Sequence, residues 1–167
     1  ATQHLLGLGH RRIAYLTGPP AAPWAQERSE GYRRALREKE VEVDDRLIFA
    51  AGSTIEDGEK AVLQMLDESP NVTAIQAVND LVAVGAMNVL HNQGVRIPQD
   101  FSVVGFGNVL LSEHCRTPLT TVRQPKFRLG IAAVEAMQKL LLGQKSESRR
   151  LAASLMIRGS SGAPPAS

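Results

Sequence analysis

The chain of 167 residues contains a single cysteine, Cys115, so no disulfide can close within it, and a lone thiol suits a reducing compartment. No charge of one sign dominates either. Lys and Arg number 19 against 17 Asp and Glu, a net +2, and the basic residues come as scattered pairs beginning at Arg11, Arg33 and Arg149. A chain that grips nucleic acid through its phosphates carries a denser basic face, which excludes that role for this chain by itself. No apolar run approaches the roughly 20 residues of a membrane span, and no signal-peptide pattern is visible. The chain opens on Ala1, with helix-like residues from Thr2 to Leu8 directly after it, and reads as a piece of a longer protein.

The usual signatures of catalysis are also missing. There is no GxxxxGK[ST] phosphate loop and no GxSxG elbow. Gly105-Phe-Gly107-Asn-Val-Leu110 begins like a dinucleotide fingerprint, but Leu110 stands where the third glycine belongs and no helix pattern follows. His4, His10, His91 and His114 form no HxxxH or HExxH pair, and His114 beside Cys115 has the wrong spacing for a shared metal. Asp44 with Asp45 and Asp67 with Glu68 fall at predicted element ends, where solvated turns account for them. These absences argue against an enzyme, and no metal or cofactor is expected.

What the sequence does contain is an alternation of strand-like and helix-like segments. Arg12 to Thr17, Leu47 to Ala51, Thr73 to Val78 and Phe101 to Phe106 read as short buried strands. Between them lie helical patterns over Ala25 to Glu40, Glu56 to Glu68 and Asp80 to Gln93, the last capped by Asp80 and stopped by Gly94. Gly18 to Trp24, with three prolines, is a loop. Repeated βα units with short connections predict an α/β fold, a parallel sheet with helices on both faces in three layers. Beyond Phe106 the rhythm breaks. Gly107 to Pro118 is irregular, Leu119 to Val122 is a short strand, Lys126 to Leu142 a helix, Leu151 to Ile157 a last strand, and 159 to 167 (GSSGAPPAS) reads as a disordered tail. The helix from Asp80 is apolar around most of its circumference, which fits either a helix central in its own domain or a subunit interface on its outer face.

In an open α/β sheet, ligands collect beyond the carboxyl ends of the strands. The polar groups predicted there are Trp24 and Arg28 after the first strand, Ser53 after the second, Asn79 after the third, and Gly107 and Asn108 after the fourth. Bland readings stand beside each. Asn79 with Asp80 equally fits a helix cap, Arg28 a surface charge, Ser53 a turn, and Trp24 a plug between loop and sheet, although an indole at a site rim also suits stacking on a sugar or a base.

Four stretches carry a resemblance: HLLGLGHRRIAYLTGPP (4 to 20), RSEGYRRAL (28 to 36), TAIQAVNDLVAVGAMNVLHNQGVRIPQDFSVVGFGN (73 to 108) and PLTTVRQP (118 to 125). In this order they resemble the effector-binding domain of transcription regulators of the lactose-repressor and galactose-repressor (LacI/GalR) family, over nearly the whole chain. The resemblance implies a periplasmic-binding-protein-like fold (type I) with a ligand in a cleft between two subdomains. Residues 1 to 158 would be the C-terminal portion, with the helix at 125 to 143 belonging to the other subdomain. The helix-turn-helix, hinge and most of the N-terminal subdomain would lie outside this chain. That helix would then be orphaned, its apolar face at Leu129, Ala133, Ala136 and Leu140 seeking a substitute partner.

The family's effector-contacting arginine falls on Arg28, and its cleft-facing residue before the Asp of the ND motif falls on Asn79. Trp24, Ser53 and Gln124 lie where effector contacts are common. The helices at 56 to 68 and 80 to 93 match the family's dimer interface. One departure stands out: many members end the fourth strand with Gly-aromatic-Asp, whose carboxylate binds two sugar hydroxyls, and here that position is Gly107. A charged acceptor contributes on the order of 1.5 to 3 kcal/mol per hydrogen bond, so a simple hexose should bind weakly unless Asn108 substitutes. The expectation is a cytoplasmic, dimeric sensor of a small-molecule effector (a sugar, sugar derivative or nucleoside-like compound), reaching operator DNA only through the N-terminal domain outside the chain, with no membrane partner. The alternative is a solute-binding protein of a transport system, which shares the fold.

Overall fold

The computed structural model describes residues 1–68 and 71–165. It contains six strands, β1 (Ile13–Thr17), β2 (Ile48–Ala50), β3 (Ala74–Ala77), β4 (Ser102–Phe106), β5 (Thr120–Arg123) and β6 (Ser154–Met156). Six helices accompany them: α1 (Thr2–Gly7), α2 (Pro23–Glu38), α3 (Ile55–Glu68), α4 (Asp80–Asn92), the short α5 (Leu111–His114) and α6 (Lys126–Leu141). The strands form one sheet in the order β2-β1-β3-β4-β5-β6, parallel except for the β5–β6 pair. Each of the four strands read from the sequence is present, shortened by a residue or two at its ends. Their apolar runs follow from position, because a central parallel strand covered on both faces needs no polar side. Ile13, Ala14, Tyr15 and Leu16 of β1 are all buried.

The crossovers place α2 on one face and α3 and α4 on the other, since the chain steps outward from β1 to β2 and then back past β1 to β3. On the first face Tyr32 of α2 stacks on Tyr15 of β1 with centroids 4.9 Å apart, and its hydroxyl donates to the Ile13 carbonyl. The second face explains the all-round apolar α4. It lies between the sheet and α3, and the two helices touch backbone to backbone: a Cβ on Gly85 would fall 2.0 Å from the Ile55 carbonyl oxygen, and one on Gly58 2.2 Å from that of Val82. Two apolar side chains remain outside this packing, Leu81 on α4 and Leu63 on α3, at 38% and 49% exposure.

Three local readings change. Helix α2 begins two residues before the predicted start, with Pro23 in its first turn, where a missing N–H costs nothing. Helix α4 is capped by Asn79, whose Oδ1 accepts from the Val82 amide, and Asp80 is buried inside the first turn. The predicted disordered tail is packed from Gly159 to Gly162. Ser160 is fully buried, donates through its hydroxyl to the Val103 carbonyl, and accepts from the Thr120 amide. Its carbonyl receives the Val103 amide at 2.7 Å, so the segment satisfies backbone groups of β4 just below the start of β5. A run of small residues predicts disorder, whereas here the hydrogen bonds of Ser160 with β4 and β5 hold the segment against the sheet. Residues 166 and 167 of that stretch lie outside the described residues.

Helix α6 differs from the rest, since none of its residues is buried. Leu129, Ala133, Ala136 and Leu140 line an open groove of about 700 Å³ against residues 145–151, held in part by the Arg149–Glu135 ion pair. Phe127, Ile131 and Val134 form a second apolar face open to solvent.

Candidate functional site

The strand order turns back at β1, so the ends of β1 and β3 diverge there and open a crevice. Gly18, just past β1, lies under the Trp24 ring: a Cβ there would stand 3.0 Å from the indole Cη2. The absence of that methyl lets Trp24 sit against the loop, 39% exposed. One helical turn later Arg28 is half-buried. Its Nη1 donates to the Val78 carbonyl at 2.6 Å, and its guanidinium carbon lies 3.8 Å from the Phe106 ring centroid and 4.9 Å from that of Trp24. A single arginine thus joins the ends of β1, β3 and β4. Burial pulls its pKa down from the ordinary value, opposed by the nearby Tyr15 hydroxyl and Asp80. The Tyr15 hydroxyl itself is buried, and that burial pushes its pKa up to about 12.

After β2, the Asp57 carboxylate accepts from the Ser53 and Thr54 amides, both at 2.9 Å, which holds its pKa below the usual carboxylate range. Asn79 is engaged at both ends of its amide: Nδ2 donates to the Ser53 carbonyl at 3.0 Å while Oδ1 caps α4. The cap accounts for this asparagine, and the same bond ties the tip of β3 to the tip of β2.

Gly107 has φ +137° and Asn108 φ +50°, both in the left-handed region. The Gly107 amide donates to the Val122 carbonyl at 2.8 Å, continuing the pairing of β4 with β5. Asn108 does not turn toward the crevice. Its Oδ1 accepts from Arg158 Nη2 at 2.8 Å, and Arg158 also donates to the Leu119 carbonyl and to Glu113. Beneath this turn the buried Asp80 accepts from the Val109 amide at 2.8 Å and from the Thr121 hydroxyl.

A cavity of about 500 Å³ opens at this edge, with Trp24, Arg28, Gln76, Phe106, Val122 and Gln124 in its wall. It brings together Trp24, Arg28 and Gln124. Ser53, Asn79, Gly107 and Asn108 do not line it, and they stand beside it as the framework of the strand tips. Phe106 was missed by sequence reasoning, although a signal existed. Registers Tyr15–Gln76, Gln76–Val104 and Phe106–Val122 put these side chains on the α2 face by the two-residue alternation of a strand. Arg158 carried no such signal, because its partners come from residues 108 to 119 through tertiary contact alone.

Comparison with known proteins agrees with this architecture. The model of the family described as a periplasmic binding protein-like domain matches residues 2–161. The chain is 37% identical over 167 residues to the HTH-type transcriptional repressor CytR of Escherichia coli (strain K12), covering 99% of this chain and 49% of that protein. Among solved structures, the transcriptional regulator CelR–cellobiose complex superposes with a TM-score of 0.90 at 36% identity, over 96% of this chain and 50% of that one. A LacI family transcriptional regulator from Mycobacterium smegmatis gives a TM-score of 0.90 at 31% identity, over 99% of this chain and 62% of that one. The chain spans about half the length of the curated relatives it matches.

Proposed function

We propose, from the premise that this chain belongs to the LacI/GalR family and carries its periplasmic binding protein-like domain, that it is the effector-sensing and dimerising portion of a bacterial transcription regulator, most simply a repressor. The observation that carries the reading is the meeting of Trp24, Arg28 and Gln124 on one cavity of about 500 Å³ at the carboxyl edge of the sheet, a volume suited to a small molecule. The relatives named above are regulators, one of them solved with cellobiose, and the role is non-catalytic and cytoplasmic. No helix among the described residues is long and apolar enough to cross a membrane.

In this reading Trp24, Arg28 and Gln124 contact the effector, and Ser53, Asn79, Gly107 and Asn108 shape the strand tips around it. The effector is a sugar, a sugar derivative or a nucleoside-like compound. Residues 1 to 158 form the C-terminal part of the sensing domain, and the exposed helix α6 packs on the part of the regulator outside this chain. Leu63 and Leu81 then face a second subunit. Closure of the cleft favours one of two conformations, and the dimer geometry passes that choice to DNA-binding heads. The test is thermal unfolding of the protein against sugars, sugar phosphates, polyols and nucleosides. Ligand at a hundredfold above its dissociation constant stabilises a one-site protein by about 2.7 kcal/mol. A flat response to every compound would defeat the sensor reading.

A further inference from the structure

We infer that Arg158, in the segment after β6, is a positioning residue for the cleft: it holds the turn at Gly107 and Asn108 and, through Phe106, the place of Arg28 and Trp24. The inference rests on the effector-sensing reading and gives a role to a residue that lines no wall of the cavity. That turn is poorly held by its own backbone. Gly107 at φ +137° and Asn108 at φ +50° both sit in the left-handed region, which a residue with a Cβ enters at a steric cost. The ladder of β4 ends at the Gly107 amide on the Val122 carbonyl, and the Val109 amide goes to Asp80. Between them Asn108 makes one close bond, from Arg158 Nη2 to its Oδ1 at 2.8 Å. Its amide stands 3.4 Å from the Thr121 hydroxyl, and its carbonyl 3.4 Å from Nζ of Lys126.

Arg158 is itself fixed at both ends. Its amide donates to the Thr120 hydroxyl at 2.9 Å, and two residues later the buried Ser160 bonds the Val103 carbonyl and the Thr120 amide. At the other end Nη1 donates to the Leu119 carbonyl at 2.9 Å, and Nη2 serves Glu113 as well as Asn108. The side chain is 14% exposed. A planar fork held at root and tip loses little further freedom with each acceptor it binds. It ties the start of β5 to the turn after β4, and these two strands bring Phe106 and Val122 to the cavity wall, with Gln124 following β5.

Phe106 makes the connection to the cleft. It directly precedes Gly107, and its ring carries the Arg28 guanidinium, whose other support is the Val78 carbonyl. The same guanidinium lies over Trp24. Were the turn to leave the left-handed region, the last ladder bond of β4 would fray, and the Phe106 ring would shift under Arg28.

Trp24 is the only tryptophan of the chain, so its emission reports on the Arg28 stack with no effector present, and a failure here leaves the sensor reading untouched. Arg158→Met is made in the parent and in an Asn108→Gly background, beside Glu113→Gln, which keeps the bond to Asn108. Far-UV circular dichroism verifies that each variant is folded at the temperature of measurement. In the parent, Arg158→Met should shift the Trp24 emission maximum and raise its quenching by acrylamide. In the Asn108→Gly background the same substitution should change neither, because the connection it breaks is already gone. Glu113→Gln should lower the melting temperature and leave both Trp24 signals at their parental values. If Arg158→Met does not fold, Arg158→Lys, which keeps the charge and loses the fork, carries the same comparison. Unchanged Trp24 signals in the parent background overturn the inference and leave Arg158 a structural brace. Equal changes with and without Asn108, or in Glu113→Gln, also overturn it, since the signal then follows another route or stability alone.

Discussion

The buried carboxylate of Asp80, at the start of α4, accepts a hydrogen bond from the hydroxyl of Thr121 in the middle of β5, 41 positions later in the sequence. Its second oxygen holds the Val109 amide. One side chain thus fixes the height of α4 relative to β5 and the path of the turn at Gly107 and Asn108, and the crevice at the sheet edge inherits that geometry.

Asp80→Ala should therefore destabilise the fold by about 3 kcal/mol, because it removes two charge-assisted bonds and leaves a buried hydroxyl and amide unpaired. Chemical denaturation measures it. A loss under 1 kcal/mol would mean that water or a neighbour replaces the carboxylate.

The glycines in the helices should respond in opposite directions. Gly85→Ala gains helix propensity but drives a methyl into the Ile55 carbonyl, 2.0 Å away, and should cost at least about 2 kcal/mol. Gly31 on α2 has open space around it, and Gly31→Ala should stabilise by about 0.5 to 1 kcal/mol. Paired thermal melts decide it, and equal shifts for the two variants would contradict the close crossing of α3 and α4.

Gly107→Asp, which would place a carboxylate where many family members have one, should not act as a simple restoration. At φ +137° a side chain is strained, at a cost of about 1 to 2 kcal/mol. The melting temperature should fall, and any gain in sugar affinity should be smaller than one new charged bond would give. A variant as stable as the parent, with galactose binding gained, would show that the turn readily adopts another conformation.

Stability should also fall in mild acid through His10. This buried ring bonds Thr73 through Nδ1, and Ser102 and the Gly162 carbonyl through Nε2. The carbonyl can only accept, so Nε2 carries the proton and the neutral tautomer is defined. Burial lowers the His10 pKa, against the opposing pull of the Gly162 carbonyl. A folded pKa below the ordinary value of about 6.5 means that the unfolded chain binds the proton first as pH falls, so the stabilisation is complete above that value and declines below it. Melting temperatures from pH 8 to pH 5 should drop in the parent and drop less in His10→Gln. Parallel curves would assign the acid sensitivity elsewhere, with half-buried His4 on Ser161 the next group to substitute.

Helix α6 should make this chain self-associate when it is studied alone, since Phe127 and Leu141 are 82% and 79% exposed and Ile131 and Val134 continue the patch. Sedimentation should show species above the monomer, and Ile131→Glu with Val134→Glu should remove them. A plain monomer at high concentration would show that the helix tolerates water unaided.

The fold class was legible because its signals are local. The buried strands, the amphipathic α2 and α3, and the stop at Gly94 reflect backbone sterics and burial that act within a few residues. The site was legible in part. Arg28 and Trp24 could be placed at the tip of β1 from element order, whereas the bond from Asn79 to the Ser53 carbonyl and the turning of Asn108 toward Arg158 depended on partners 26 and 50 positions away.

By itself the sequence determined the order of strands and helices, the absence of familiar catalytic motifs, and a glycine at 107, where the family resemblance implies a carboxylate in many members. Only the tertiary structure decided which polar groups remain free at the sheet edge, because a hydrogen bond between distant residues follows from packing and leaves no local pattern. It likewise decided that the small residues after Arg158 pack against β4 and β5, since whether glycine and serine stay mobile or fill a narrow gap depends on the surface they meet.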